Sequence, residues 1–194
     1  TDYSFFTCRE EVVNDASEVF NFLTGYSKKE SYEKLSVAPI TLRNTITALI
    51  DREALLAKNG NEGRIILKMN SLTDQRIIEQ LYDASKAGVK IDLIIRGVCC
   101  LRPGIAGYSD NIRVISIVGR YLEHSRVFWF GNNGIPEVYL SSADMMGRNL
   151  DRRVELMFPI EDTLLAKQIF QESLEAALHD NISARVLHAD GRYS

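Results

Sequence analysis

Apolar residues recur at helical spacing over 9–24, where Val12, Val13, Ala16, Val19, Phe20 and Leu23 fit one helix. Before it, Tyr3-Ser4-Phe5-Phe6-Thr7 reads as a strand or the tail of one. After it, the polar stretch 25–31 reads as a linker. A short strand is expected over 35–38. Thr41 is placed as the N-cap of a long helix with Leu42, Ile46, Leu49 and Ile50 on one face, ended by Asn59-Gly60.

The next pattern is a strand over 64–69, a helix over 74–86 with Ile77, Ile78, Leu81 and Tyr82 inward, a stop at Gly88, and a strand over 90–95. A helix of this length between two strands predicts a parallel pair joined by a right-handed crossover. The run Leu93-Ile94-Ile95 suits a strand covered on both faces. A hairpin follows, with strands 127–130 and 137–140 around a turn containing Asn132-Asn133-Gly134. A strand over 154–158, a helix over 163–178 and a strand over 184–187 complete the set. The expected fold class is α/β, a mixed sheet flanked by helices, without internal repeats or low-complexity segments.

Composition narrows the setting. At 194 residues, 45% hydrophobic and 25% charged, the chain supports one domain of about 150 residues and a shorter appendage. Cys8, Cys99 and Cys100 are too few and too badly spaced for a disulfide framework, which points to a reducing, cytosolic compartment. No apolar run approaches the roughly 18 residues of a membrane span, and Asp2 and Arg9 do not fit a signal-peptide start. A net charge of −3 argues against a general nucleic-acid binder and leaves room for a local basic pocket. The chain starts without Met in what reads as mid-structure, so it is expected to be a piece of a longer protein.

Ligands of open α/β sheets gather beyond the carboxyl ends of the parallel strands. One such end delivers Lys68 and Asn70. The other delivers Arg96, followed by Gly97-Val98-Cys99-Cys100-Leu101-Arg102-Pro103-Gly104. Arg96 has a planar fork suited to phosphate oxygens, and an ordinary strand-end salt bridge is the bland alternative. A second cluster is Arg120-Tyr121-Leu122-Glu123-His124-Ser125-Arg126, with His124 just before the hairpin and Ser141-Ser142-Ala143-Asp144 just after it. An antiparallel hairpin brings those two stretches to the same open end. His124 beside Arg126 suits a nucleophile, acid or base acting on a phosphoryl group; a structural histidine is the alternative. Which serine faces His124 depends on a register that the six-residue turn leaves open.

The stretch Met146-Gly147-Arg148-Asn149-Leu150-Asp151-Arg152-Arg153 adds three arginines, some expected to cover the cleft and some to pair with Asp144 and Asp151. His179 and His188 lie away from these ends and read as surface or structural. Neither a metal-ligand spacing, a Walker loop nor a dinucleotide fingerprint is present.

The segments Lys68-Met69-Asn70-Ser71-Leu72, 95–104, 110–118, Gly119-Arg120-Tyr121-Leu122-Glu123-His124-Ser125-Arg126 and 141–150 resemble polyphosphate kinases. The resemblance runs nearly end to end, including Val19-Phe20-Asn21-Phe22-Leu23-Thr24-Gly25. It implies a phospholipase D-like fold in which two related domains face one another across a tunnel. Residues 1–33 would be the tail of the first catalytic domain, and 34–194 the C-terminal domain. The implied activity is reversible transfer of the terminal phosphate of ATP to polyphosphate through a phosphohistidine, with magnesium.

By the same resemblance, Arg96 and His124 match the family's ATP phosphate-contacting arginine and histidine. Arg126 and Lys68 would help to hold phosphate. The phosphorylated histidine and the arginines associated with magnesium would lie upstream, with a nucleotide-contacting tyrosine immediately before Thr1. The isolated chain is therefore expected to be inactive. The phospholipase D pattern, His-any-Lys and Gly-Ser-any-Asn, stands altered here as His124-Ser125-Arg126 and Ser141-Ser142-Ala143-Asp144. ATP/ADP and polyphosphate are the implied partners, with no nucleic acid and no transmembrane segment. The full-length protein is expected to be a cytoplasmic homo-oligomer, with peripheral membrane association left open. The rival readings are a phospholipase D-like phosphodiesterase and a non-catalytic polyanion-binding module.

Overall fold

The computed structural model describes residues 2–26 and 30–194, so the expected linker falls partly outside the described residues. Helix α1 (Glu10–Leu23) precedes strand β1 (Ser36–Ala38) and helix α2 (Leu42–Lys58). Strand β2 (Arg64–Met69), helix α3 (Gln75–Lys86) and strand β3 (Lys90–Ile95) follow. Next come β4 (Ile112–Ile117), β5 (Arg126–Phe130), β6 (Glu137–Ser141), the short helix α4 (Gly147–Asp151) and β7 (Glu155–Pro159). Helix α5 (Thr163–Ile169) continues through a π turn (Phe170–Glu175) and a last turn (Ala176–Leu178) to β8 (Ala184–Val186).

All eight strands form one mixed sheet in the order β1-β7-β6-β5-β2-β3-β4-β8. The pairs β2·β3 and β3·β4 are parallel and every other neighbouring pair is antiparallel. Strand alternation sends Ile65, Leu67, Ile91, Leu93, Phe128 and Phe130 to one face, where Leu42, Ile46 and Ile50 of α2 and Ile77 and Leu81 of α3 cover them. On the other face Ile66, Ile94, Ile115, Val127 and Leu140 meet Ile169 and Leu174 of the α5 segment. Both faces are thus covered around the parallel strands, which is why the apolar runs Ile65-Ile66-Leu67 and Leu93-Ile94-Ile95 do not alternate.

Several expectations are corrected. Residues 3–7 form no strand; Phe5 stacks on Phe158 at 5.3 Å and Phe6 is exposed. Strand β4 was not among the predicted elements, because its Ile112-Arg113-Val114 alternation follows a long loop rich in turn residues. The 163–178 helix carries an unforeseen π turn. Thr41 occupies the N-cap position, yet its hydroxyl accepts from Val37 N at 2.9 Å and not from the helix that it opens. At the hairpin the expectation holds: Asn132, Asn133 and Gly134 all take positive φ, the conformation those residue types tolerate. Helix α1 packs on the sheet edge through Val19, Leu35 and Val37, and buried Asp15 accepts from the backbone N–H groups of Glu33, Lys34 and Leu35.

Candidate active site

Strands β2 and β3 end side by side, with Met69 opposite Ile95, so Asn70 and Arg96 emerge together. Asn70 Oδ1 accepts from Arg96 Nε at 3.1 Å and Nη2 at 2.8 Å, which holds one edge of the guanidinium. Gly97 N donates to Asn70 O at 2.7 Å. A Cβ on Gly97 would lie 2.8 Å from that same oxygen, so the approach needs glycine.

The hairpin register settles what the sequence left open. Lys68 lies opposite Val127 and Arg126 opposite Ser141, so the hairpin's open end lies at the carboxyl end of β2. Arg126 places Nη1 3.2 and 3.3 Å from the two ring nitrogens of His124 and donates to its carbonyl at 3.1 Å. Its Nε and Nη2 reach the two carboxylate oxygens of buried Asp144, each at 3.3 Å. Asp144 Oδ1 also accepts from Asn70 N at 2.8 Å. A polar chain therefore runs from Arg96 through Asn70 and Asp144 to Arg126 and His124.

Neither serine partners His124. Ser141 Oγ donates to Leu156 O, and Ser142 Oγ donates to Glu155 Oε2. His124 Nδ1 instead stands 3.0 Å from Asp2 Oδ2, and this hydrogen bond holds the Asp2 carboxyl below its ordinary range. Asp2 is the site residue that sequence reasoning missed; Asn70 was placed at the strand end without a partner, and Asp144 was expected to pair within 146–153 and not with Arg126. Asp2 carried no local signal, because its partner is remote in the chain.

Lys68 lines the same cavity as Arg96 and is already partnered. It shares a sheet face with Ile66, beneath the α5 segment, and is 7% exposed. Its Nζ meets Ser125 Oγ at 2.7 Å, Glu123 Oε2 at 3.0 Å and Ser173 Oγ at 3.4 Å. Two adjoining cavities result. One of 490 Å³ is lined by Lys68, Arg96, Arg120 and Glu123, the other of 590 Å³ by His124, Arg126, Arg148 and Arg153. Asp2, Tyr3 and Ser125 line both. A larger groove of 1080 Å³, around Trp129 and Ile135, contains none of the candidate residues.

Of the 146–153 stretch, Arg148 and Arg153 do face the cleft. Asp144 and Asp151 pair with arginines outside that stretch, Asp144 with Arg126 and Asp151 with Arg43. His179 and His188 are exposed, held by Glu175 O and Ser194 Oγ. Burial pushes the Cys99 thiol up to about 11, so it is a poor thiolate ligand. No group of three or more His, Cys, Asp or Glu suited to a metal occurs among the described residues.

A family model described as polyphosphate kinase C-terminal domain 2 matches residues 35–194. The chain belongs to the polyphosphate kinase family. It is 57% identical over 192 residues to the polyphosphate kinase of Thermosynechococcus vestitus, covering 99% of this chain and 26% of that protein. It is 55% identical over 193 residues to that of Synechocystis, covering 100% of this chain and 26% of the relative. The crystal structure of polyphosphate kinase from Porphyromonas gingivalis superposes with a TM-score of 0.92 at 43% identity, over 96% of this chain and 28% of that one. The chain thus spans about a quarter of the length of the polyphosphate kinases it matches.

The fold is phospholipase D-like. Nuc from Salmonella typhimurium, a phospholipase D family member, matches with a TM-score of 0.53 at 18% identity, covering 72% of this chain and 89% of that one. NucT from Helicobacter pylori matches at 0.51 and 19%, covering 73% of this chain and 94% of that one. In this polyphosphate kinase domain, the hairpin-end His124 and Arg126 share one cavity with unpaired Arg148 and Arg153, among the described residues. Arginine forks in a cleft bind phosphate oxygens bidentately and keep their charge at every physiological pH.

Proposed function

We propose that this domain forms one wall of a polyphosphate kinase active site that moves the terminal phosphoryl group of ATP to polyphosphate. The phosphoryl group passes from ATP to a ring nitrogen of a histidine in the upstream domain, and ADP leaves. A terminal oxygen of polyphosphate then attacks that phosphorus, the P–N bond breaks, and the chain grows by one unit. Each step is reversible.

The observation that carries this reading is the polar chain from Arg96 through Asn70 and Asp144 to Arg126 and His124, whose Nδ1 is held by Asp2. Arg96 and Arg126 offset charge on the phosphate oxygens as the transferred group loosens in the transition state. His124 faces the phosphorylated histidine, where it positions phosphate or moves a proton. Magnesium would shield the phosphate oxygens when bound, and on the family resemblance the residues associated with it lie upstream of this domain. The proposal keeps a cytosolic setting, which three free cysteines support, and a homo-oligomeric full-length enzyme, which the family resemblance implies. Among the described residues no helix is long and apolar enough to cross a membrane.

The test is incubation of the full-length protein containing this chain with γ-labelled ATP and magnesium. Acid-labile label on the protein and labelled polyphosphate of growing length are expected, and the 194-residue chain alone should take no label. Hydrolysis of a model phosphodiester without polyphosphate formation would replace this reading with a phosphodiesterase. Salt-sensitive polyphosphate binding without any label on the full-length protein would leave only a binding module.

A further inference from the structure

Lysine carries three N–H donors and no acceptor. Lys68 has three oxygens around Nζ: Ser125 Oγ at 2.7 Å, Glu123 Oε2 at 3.0 Å and Ser173 Oγ at 3.4 Å. Its donors are therefore matched one for one, and its charge is offset by a carboxylate at the same point. A phosphate could be gripped only by giving up one of these partners. For a lysine that is 7% exposed, that exchange leaves a buried group unpaired.

The three oxygens come from two elements that sequence does not join. Glu123 and Ser125 are the residues on either side of His124, in the connection between β4 and β5. Ser173 lies in the π turn after α5, where it is buried beside Leu174. The connection has little apolar anchorage of its own, since Val118 is 69%, Tyr121 70% and Leu122 58% exposed. The side chains of Glu123 and Ser125 meet Lys68, Arg126 donates to the His124 carbonyl, and the ring of His124 is held by Asp2 and Arg126.

We infer that Lys68 is a positioning residue: its ammonium clamps both neighbours of His124 to β2 and to the π turn, and thereby sets where the imidazole stands. For the kinetic consequence this rests on the function proposed above; for the geometry it does not. A site group displaced by about 1 Å loses on the order of 10²-fold in rate, so a clamp at this point acts on turnover before it acts on substrate affinity.

The chain has three histidines, which permits a test without activity. Long-range proton–nitrogen spectra of the imidazoles, with His124 assigned from its disappearance in His124→Ala, are recorded for the wild-type chain, Lys68→Met and Ser125→Ala. Displaced His124 signals in both variants, with His179 and His188 unmoved, are expected. Ser125→Ala keeps the Lys68–Glu123 ion pair and serves if Lys68→Met does not fold. His124 signals unchanged in a folded variant overturn the inference.

In the full-length enzyme, Lys68→Met should lower kcat about 10- to 100-fold with KM for ATP within about 3-fold. It should add no further loss in a His124→Ala background. A tenfold rise in KM for ATP at unchanged kcat would make Lys68 a phosphate ligand instead. Losses that multiply with His124→Ala would make it a structural residue unrelated to His124. If the wild-type enzyme made no polyphosphate, the proposed function would fall, and the imidazole spectra would still decide this point.

Discussion

Asp2 Oδ2 stands 3.0 Å from His124 Nδ1, although 122 positions separate the two in sequence. A carboxylate on Nδ1 fixes the ring's orientation, with Arg126 Nη1 3.2 Å from Nε2 on the other side of the ring. In the full-length enzyme, His124→Ala should lower polyphosphate synthesis about 10²–10⁴-fold. Asp2→Ala should lower it less, by about 10- to 100-fold, the loss of one hydrogen bond to a charged group. Steady-state rates of the two variants and their double mutant provide the check. Near-normal turnover of His124→Ala would reduce it to a structural histidine.

Arg96 separates geometry from charge. Asn70 Oδ1 holds its Nε and Nη2, so the fork is oriented before any phosphate arrives. Arg96→Lys keeps the charge and loses the fork, and should fall well below wild type, with Arg96→Ala lower still. Asn70→Ala should lie between wild type and Arg96→Ala. Full activity in Arg96→Lys would show that only a positive charge is required.

Glu53 is fully buried and holds the hairpin turn from beneath. Its carboxylate accepts from Arg64 N at 3.2 Å, Asn132 N at 3.0 Å and Arg52 Nη2 at 3.2 Å. Glu53→Ala leaves those donors without a partner and should cost about 3–5 kcal/mol in urea denaturation. Glu53→Gln keeps one acceptor oxygen and should cost about 1–3 kcal/mol. Equal stability of Glu53→Ala and wild type would mean that water replaces the carboxylate there.

Acid stability should follow Arg43. Its guanidinium grips Asp74 and Asp151 together, and that contact is the chief reason both carboxyls lie below their ordinary value of 3.8. Carboxyls with lowered folded values stabilise the fold fully above the unfolded value and lose that contribution as pH falls through the folded value. Unfolding free energy should therefore be flat down to about pH 5 and decline below 3.8. Arg43→Met should be less stable at neutral pH and should show a shallower acid decline. An unchanged acid slope would assign the loss to other carboxylates.

Local pattern alone determined much of this domain. The βαβ unit, the Asn132-Asn133-Gly134 hairpin and the two-sided burial of β3 follow from period-2 and period-3.6 apolar spacing and from residues that tolerate positive φ. Arg96, His124 and Arg126 were legible because a charged residue leaving a buried strand, or flanking a hairpin, must arrive at a sheet end. Tertiary structure decided the rest. Strand β4 is identified by pairing with β3 and β8, and the absence of a strand over 3–7 by the packing of Phe5 on Phe158. The partners of His124 and Lys68 come from Asp2 and Ser173, which pattern leaves unmarked because an ion pair or hydrogen bond has no period along the chain. Lys68 shows the limit most sharply. Its position at the end of β2 was readable, but strand alternation turned it under α5, where Ser125, Glu123 and Ser173 meet the ammonium, and no local pattern marked those partners.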